Sequence, residues 1–279
     1  MPELPEIVCR AREMEEALPG RKIREIEVLQ PKCLNVPVEE FLRALVAAVV
    51  LGVRHRGKWI VVDTTRSLLL LNLGMGGEIL LVLPDAFPEK WRVRFALDDG
   101  RWLSVNFWWF GYAHVVPRGR LEDHPMVSQL GPDAFEVGLA QFRKLIEGRR
   151  GGIKAFLLDQ SKLAGIGNAY IHDTLFRAGL HPLRPIPTLS GEDVKRLHCA
   201  VKTELARSIE KGGAFYEVGL NGKPGGFSAA DLLVGYREGK PCPECGTTVA
   251  KIKTGSTASF ICSRCQPLPG ARTRRRGGS

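Results

Sequence analysis

PELPEIVCRAREMEEAL, residues 2–18, supports two readings at once. The spacing predicts a helix over residues 5–18, with Ile7, Val8, Ala11, Met14 and Leu18 on one face. Pro5 suits the first helical position, and Glu3 and Glu6 suit the positive end of the helix dipole. That reading says nothing of Pro2. A small residue at position 2 lets the initiator Met be removed, which leaves Pro2 as a secondary α-amine with the acid Glu3 beside it. An α-amine has a pKa roughly 2.5 units below that of a lysine side chain, so far more of it is nucleophilic near neutral pH. A secondary amine that condenses with a sugar aldehyde carbon also gives an iminium, charged at any pH and ready to accept electrons.

The rest of the chain says what such an amine would act on. Its 279 residues, 44% hydrophobic and 25% charged, are ordinary for a soluble protein with more than one core. A net charge of +10 and a pI near 9.4 imply a polyanionic partner. Nucleic acid comes before a membrane surface, since no basic helix with a broad apolar face stands out. The absence of an eighteen-residue apolar run, and an acidic, Pro-rich N-terminus, predict neither a membrane span nor a signal peptide, hence a cytoplasmic protein. Seven cysteines in that setting do not suggest a disulfide framework.

Working outward, residues 22–30 alternate as a strand and 39–50 return to helical spacing. Segments 53–63, 67–73, 78–83, 92–97 and 102–107 are β-rich, with Asp98-Asp99-Gly100 as a hairpin turn. Residues 1–115 thus read as a β-sandwich with flanking helices, and 116–135 as a Pro- and Gly-punctuated linker. Helices are predicted over 139–147, 152–160, 168–178 and 190–210, within a helical domain of residues 136–231. Its Gly-rich end, from residue 211, is expected to be a mobile loop. Residues 236–266 hold a cysteine module, and 267–279 form a basic, core-less tail containing Arg272, Arg274, Arg275 and Arg276.

Cys242-Pro-Glu-Cys245 and Cys262-Ser-Arg-Cys265 have the spacing of two knuckles closing on one zinc. Four thiolates leave no open position, so the metal is structural. The zinc centre carries net negative charge, and attraction to DNA falls to cations such as Lys251, Lys253 and Arg264. Gly165-Ile166-Gly167-Asn168 opens a helix, where N–H groups and the Asn168 amide can meet a phosphate; Arg149, Arg150 and Lys154 lie just upstream. A helix-entry turn would need the same glycines. Arg56-Gly57-Lys58 places charge within a β-rich stretch, either as a solvated edge or as a phosphate-holding or acidic Lys58. Met75, on a glycine turn, fits a core or a wedge in a base stack. Phe107, Trp108, Trp109 and Phe110 follow one another, and alternation along a strand cannot bury all four on one face.

Taken together, PELPEI, the RGK at 56–58, LGMGG at 73–77, GIGNAYIHDTLFRAGLHP at 165–182, GKPC at 239–242 and the four-cysteine module resemble the formamidopyrimidine-DNA glycosylase family, in the wider group with endonuclease VIII. The resemblance runs from residue 2 to about 266. It implies a multidomain α+β protein: an N-terminal β-sandwich, a helix-two-turn-helix domain and a C-terminal zinc ribbon, with DNA in the cleft between. It implies one structural Zn2+ and monomeric action on damaged double-stranded DNA, with single-stranded DNA left open. By the same resemblance Pro2 attacks the anomeric carbon of a damaged nucleotide, and Glu3 protonates the ring oxygen. Lys58 holds phosphate and donates a proton in strand elimination, with Glu6 retained beside them. Asn168 and the zinc ribbon hold backbone phosphates, joined on the local reading above by Arg150 and Lys154, while Met75, Trp108, Trp109 and Phe110 fill the gap left by the flipped base.

The departures are specific. Trp108 and Trp109 stand where the family usually has two arginines, and they can stack on any base without a guanidinium's fork of donors. Thr257 replaces an arginine assigned to phosphate gripping and the second elimination. Asn72 and Trp91 replace histidines, and Asp173 replaces a glutamate. These changes predict weak opposite-base discrimination and cutting that stops after β-elimination. The competing reading is a catalytically silent zinc-ribbon protein that binds damaged or abasic DNA.

Overall fold

In the computed structural model, residues 2–255 and 257–268 are described. The chain begins with α1 (Leu4–Ala17) and β1 (Ile23–Val28), followed by α2 (Val38–Leu45). Strands β2 (Val50–Arg56), β3 (Trp59–Thr64), β4 (Ser67–Asn72), β5 (Glu78–Val82), β6 (Val93–Leu97), β7 (Trp102–Asn106) and β8 (Tyr112–Pro117) come next. Four helices follow: α3 (Leu139–Ile146), α4 (Ile153–Leu158), α5 (Asn168–Arg177) and α6 (Gly191–Glu210). The hairpin β9 (Ala250–Thr254) and β10 (Thr257–Ile261) lies between the two cysteine pairs. No helix among the described residues is long and apolar enough to cross a membrane.

Two four-stranded antiparallel sheets, ordered β1-β6-β7-β5 and β2-β3-β4-β8, form the sandwich expected from the alternating segments. Alternate residues point into a shared core: Val93, Phe95 and Leu97 from β6, Ile60 and Val62 from β3, Leu69 and Leu71 from β4, Ala113 and Val115 from β8. Ile7, Met14 and Leu18 of α1 join the same core, as their helical spacing predicts. The unbroken run Leu68–Leu71 has a separate reason: Leu68 and Leu70 pack on the opposite side with Trp59, Val61, Val116 and Val127. Both faces of β4 are covered, so both faces are apolar.

Three local expectations change. Helix α2 stops at Leu45, well short of residue 50, because residues 47–50 bond to the chain entering β1. Ala47 N–H donates to Ile23 O, Ala48 O accepts Ile23 N–H, and Ala47 adopts φ 65°. The β-rich stretch 53–63 is a hairpin, turned at Gly57-Lys58 between β2 and β3. Strand β8 extends to Pro117, inside the stretch read as linker, since its alternate residues complete the core.

Packing divides the chain into two compact units. The first comprises the described residues through Glu136 with Gln160–Ile166 and Leu205–Ala230; the second comprises Val137–Asp159, Gly167–Glu204 and the described residues from Asp231 onward. The Gly-rich stretch after α6 belongs to the first unit and is laced by main-chain bonds. Phe227 N–H donates to Gly213 O, Gly226 N–H to Lys211 O and Gly225 N–H to Glu217 O. Residues 269–279, which carry the tail arginines, lie outside the described residues.

Candidate active site and nucleic-acid interface

The first turn of α1 is buried and fixed from two sides. Glu3 is the N-cap, and its N–H donates to Glu6 Oε2 at 2.8 Å. Leu4 N–H donates to Gly165 O at 3.0 Å. Gly165 has φ +108°, and a Cβ there would stand 2.7 Å from the Leu4 Cβ. That glycine therefore serves a close approach of protein to protein. Gln160 closes the segment, accepting Gly165 N–H and donating to Ile166 O.

The Lys58 turn packs on the neighbouring residue of the same segment. A Cβ on Gly57, at φ +57°, would lie 3.2 Å from Ala164 Cβ, and Gly57 N–H donates to Asp133 Oδ1 at 2.8 Å. Arg56 spends its guanidinium on Leu130 O and Gly131 O, both at 2.8 Å. Each part of Arg-Gly-Lys thus has its own task, with Arg56 as anchor, Gly57 as turn, and half-buried Lys58 carried by them. Adjacent residues Ala164 and Gly165 carry the Lys58 turn and the Pro2–Glu3 turn respectively, and consecutive Cα atoms are only about 3.8 Å apart. Residues over one hundred positions apart in sequence are brought together on this strip.

Glu6 is held by main chain. Its Oε2 takes Glu3 N–H and its Oε1 takes Ala214 N–H at 3.0 Å, so one carboxylate ties the Pro2–Glu3 turn to the Gly-rich loop. On that loop Glu217 shares the negative environment. Burial pushes its carboxyl up to about 7, with Glu6 and Glu3 adding to the rise and Arg10 opposing it. Sequence reasoning missed Arg10, Glu13 and Glu217. The first two lie off the apolar face that the helical spacing marks, and nothing local links a residue near 217 to the N-terminus.

Elsewhere in the same unit two turns present large apolar groups to solvent. Trp108, Trp109 and Phe110 are 63%, 65% and 74% exposed, and Met75 is 50% exposed. Met75 N–H donates to Trp109 O at 2.9 Å, and Trp108 N–H to Met75 O at 3.1 Å, locking the turns together. Lys90 Nζ stands 5.7 Å over the Trp108 ring. Phe107 alone of the four aromatics is in the core. Asn72, one of the histidine replacements, uses its amide within the fold, accepting Gly74 N–H and donating to Lys58 O.

In the second unit Asn168 is the first residue of α5, with Gly167 as N-cap; its Oδ1 has no partner among the described residues. Arg150 is exposed. Lys154 departs from the surface position expected of it: it is 4% exposed, and its ammonium donates to Thr254 Oγ1, Thr257 Oγ1 and Ala258 O at 2.8–3.0 Å. All three donors are used inside the protein, and burial lowers its pKa. Thr257 is thereby tied down as well. Asp173, buried, accepts N–H groups from Leu233, Val234 and Gly235 at 2.7–2.8 Å. The Asp173 carboxylate thus serves the fold of the segment after residue 232, satisfying three consecutive N–H groups.

Cys242, Cys245, Cys262 and Cys265 bring their sulfurs within 4.8 Å of one another. The Cys245–Cys262 and Cys242–Cys265 separations are 3.4 and 3.8 Å. A tetrahedral zinc with bonds of about 2.3 Å requires sulfurs about 3.8 Å apart. The residues therefore fit one structural zinc, which would replace the large hydrophobic core this small module lacks.

Comparison with known proteins follows the same division. Residues 1–106 match the formamidopyrimidine-DNA glycosylase N-terminal domain, 130–218 the H2TH domain of that glycosylase, and 239–268 a zinc finger found in FPG and IleRS. The formamidopyrimidine-DNA glycosylase of Magnetococcus marinus is 34% identical over 275 residues, covering 95% of this chain and 99% of its own. That of Syntrophotalea carbinolica is 36% identical, covering 95% and 100%. Among solved structures, the MutM (FPG) protein of Thermus thermophilus superposes with a TM-score of 0.85 at 29% identity, covering 96% of this chain and 99% of that one. The Lactococcus lactis Fpg, in complex with DNA containing an abasic site, gives 0.87 at 26% identity, with coverage of 95% and 99%. With all three parts matched in order and full-length relatives above 30% identity, the chain belongs to the formamidopyrimidine-DNA glycosylase family.

Proposed function

We propose that this protein is a base-excision-repair DNA glycosylase with abasic-site lyase activity, and that Pro2, freed by loss of Met1, is its nucleophile. The observation that carries the reading is the buried Pro2–Glu3 turn, braced by Glu6 and by Gly165 in a chain of this family. The amine attacks C1′ of the damaged nucleotide and the base departs. Glu3 protonates O4′ as the ring opens, leaving an iminium. The iminium acidifies the C2′ proton, and loss of that proton expels the 3′ phosphate. Lys58, carried on the turn beside Glu3, binds phosphate and supplies a proton to this elimination. Glu6 serves by holding Glu3 and the loop.

DNA is held by Arg150, Asn168 and the zinc ribbon. Lys154 acts from inside, fixing the hairpin that carries Thr257. Met75, Trp108, Trp109 and Phe110 fill the gap in the duplex. A stacking surface without guanidinium donors favours lesions whose partner base varies, including lesions in single strands. With a hydroxyl at 257 already bonded to Lys154, cutting ends at β-elimination. The sandwich, with β8 running to Pro117 and the Gly-rich loop in the same compact unit, the helical segment and the ribbon (236–266) divide this work, in a cytoplasmic, nucleoid-associated monomer.

The test is an oligonucleotide panel of oxidised purines, ring-opened purines and oxidised pyrimidines, single-stranded and opposite each of the four bases. Base release and strand ends are measured together. Release with a β-eliminated end, nearly indifferent to the opposite base, is the expected result. Tight binding to abasic DNA with neither release nor nicking, on protein shown to lack Met1, would replace this reading with the silent binder.

A further inference from the structure

Strand β2 and the turn that follows residue 132 bring together three groups that no step of the DNA chemistry uses. His55, Asp133 and Glu136 each offer one ligand atom, and these atoms lie within 4.8 Å of one another. His55 Nε2 stands 4.0 Å from Glu136 Oε1. That nitrogen is buried and has no hydrogen-bond partner among the described residues. A neutral imidazole protonated on Nδ1 carries a lone pair on Nε2, and a buried lone pair that nothing fills is costly. Asp133, also buried, uses Oδ1 to accept Gly57 N–H. Arg56 Nη1 is 4.0 Å from its Oδ2, too far for a hydrogen bond, and that guanidinium is already spent on Leu130 O and Gly131 O.

Main chain holds the three in place. His55 pairs with Ile60 across the β2–β3 hairpin, Asp133 bridges to Ala164, and Glu136 N–H donates to Asp133 O at 3.0 Å. Ala164 is the residue against which the Lys58 turn packs, so the triad and that turn share one support. A zinc with bonds of about 2.0–2.2 Å sets two ligands about 3.4 Å apart in a tetrahedron, and the exposed Glu136 carboxylate has only to close by about 1 Å. A cavity of about 490 Å³, lined by Val8, Arg12, Val53, His55, Phe135 and Glu136 among others, reaches two of the three ligands and gives the metal a way in. One imidazole with two carboxylates suits first-row transition metals, whereas Mg2+ and Ca2+ call for oxygen ligands throughout.

We propose that His55, Asp133 and Glu136 form a second metal site, in addition to the four cysteines, for a divalent first-row transition metal such as Zn2+. Water completes the coordination, since three protein ligands leave a position open. Three such ligands hold a metal less tightly than four thiolates, so this site fills only when free metal is supplied, while the ribbon keeps its own. Asp133 would then serve two masters, Gly57 N–H through Oδ1 and the metal, and a filled site braces the turn that carries Lys58. The competing arrangement is an internal ion triad, with a protonated His55 between the two carboxylates.

The experiment titrates untagged protein, already holding its ribbon zinc, with Zn2+ in a calorimeter and in the presence of excess Mg2+. Wild type should take up one further Zn2+ per chain and melt several degrees higher once it is bound. Glu136→Gln should weaken that uptake about tenfold or more, and His55→Phe should abolish it, with the ribbon zinc retained in both. Should His55→Phe not fold, Glu136→Gln alone decides, since that side chain is 68% exposed. No second equivalent in wild type overturns the proposal and leaves the ion triad. A second equivalent bound as tightly by both variants as by wild type overturns it too, because that metal sits elsewhere on the chain.

Discussion

Replacing Gly165 with Ala tests whether the Pro2–Glu3 turn is placed by the strip behind it. The added Cβ would meet Leu4 Cβ at 2.7 Å and Leu4 Cδ2 at 2.8 Å. Carbon atoms pack at about 3.5–4.0 Å, so Leu4 must withdraw by roughly 1 Å. It cannot swing away freely, because Leu4 N–H is bonded to the carbonyl of the substituted residue and its side chain is fully buried. The displacement passes to Glu3 and Pro2. A misplacement of about 1 Å at reacting atoms costs on the order of 100-fold in rate. The φ of +108° adds about 1–3 kcal/mol of backbone strain. Gly148→Ala is the control: its φ is +68°, also left-handed, but nothing lies within 4 Å of the new Cβ. Thermal unfolding and single-turnover trapping on abasic DNA should separate the two. Gly148→Ala should lose about 1 kcal/mol and trap normally. Gly165→Ala should lose more stability and trap about 100-fold more slowly. Folded Gly165→Ala that traps within about threefold of wild type would refute the reasoning.

Other consequences follow from the exposed aromatics, a buried histidine and the metal site. Trp108→Ala and Trp109→Ala should each weaken binding to lesion duplex by about 1–3 kcal/mol, equally for all four opposite bases, as measured by fluorescence anisotropy. A loss confined to one opposite base would instead indicate hydrogen-bonded readout. His114 lies 2.8 Å from His124, and burial, then the charge of His124, holds its pKa down at about 4 from 6.5. A depressed histidine favours the neutral form when folded, so its stability is present above the unfolded pKa and is lost as pH falls from about 6.5 toward 4. His114→Phe should flatten that acid limb in denaturant titrations, and an unchanged slope would count against it. Zinc removal with a chelator should release one metal per chain by colorimetric assay and abolish DNA binding, while the sandwich core still melts cooperatively. Retention of full DNA affinity by metal-free protein would contradict the ribbon's role.

How much of this was legible in the sequence depends on how far each residue's reason lies from it. The sandwich, the order of the helices and the zinc ligands were readable because alternation, helical spacing and paired cysteines are local patterns. The helix expected through residue 50 failed because Ala47 and Ala48 bond to Ile23, a partner no window around 47 contains. Lys154 looked like a surface cation, since the acceptors at Thr254, Thr257 and Ala258 lie one hundred residues on. Gly165 was readable as part of a helix-entry or phosphate-binding turn, but not as the close neighbour of Leu4. Arg10 and Glu13 were the hardest: on sequence alone they merely lie off the apolar face of the helix, and only the Gly-rich loop, at Val218 and Leu220, gives them partners.

The measurement that bears most directly on the account is the identity of the atom joined to DNA. Wild-type protein, shown by mass to begin at Pro2, is reduced with borohydride on a single-abasic-site duplex, digested and mapped by tandem mass spectrometry. The account predicts one adduct, on the N-terminal peptide at the Pro2 nitrogen, with its yield sharply diminished in Pro2→Gly. An adduct on Lys58 or another lysine, with Pro2 unmodified, would contradict it.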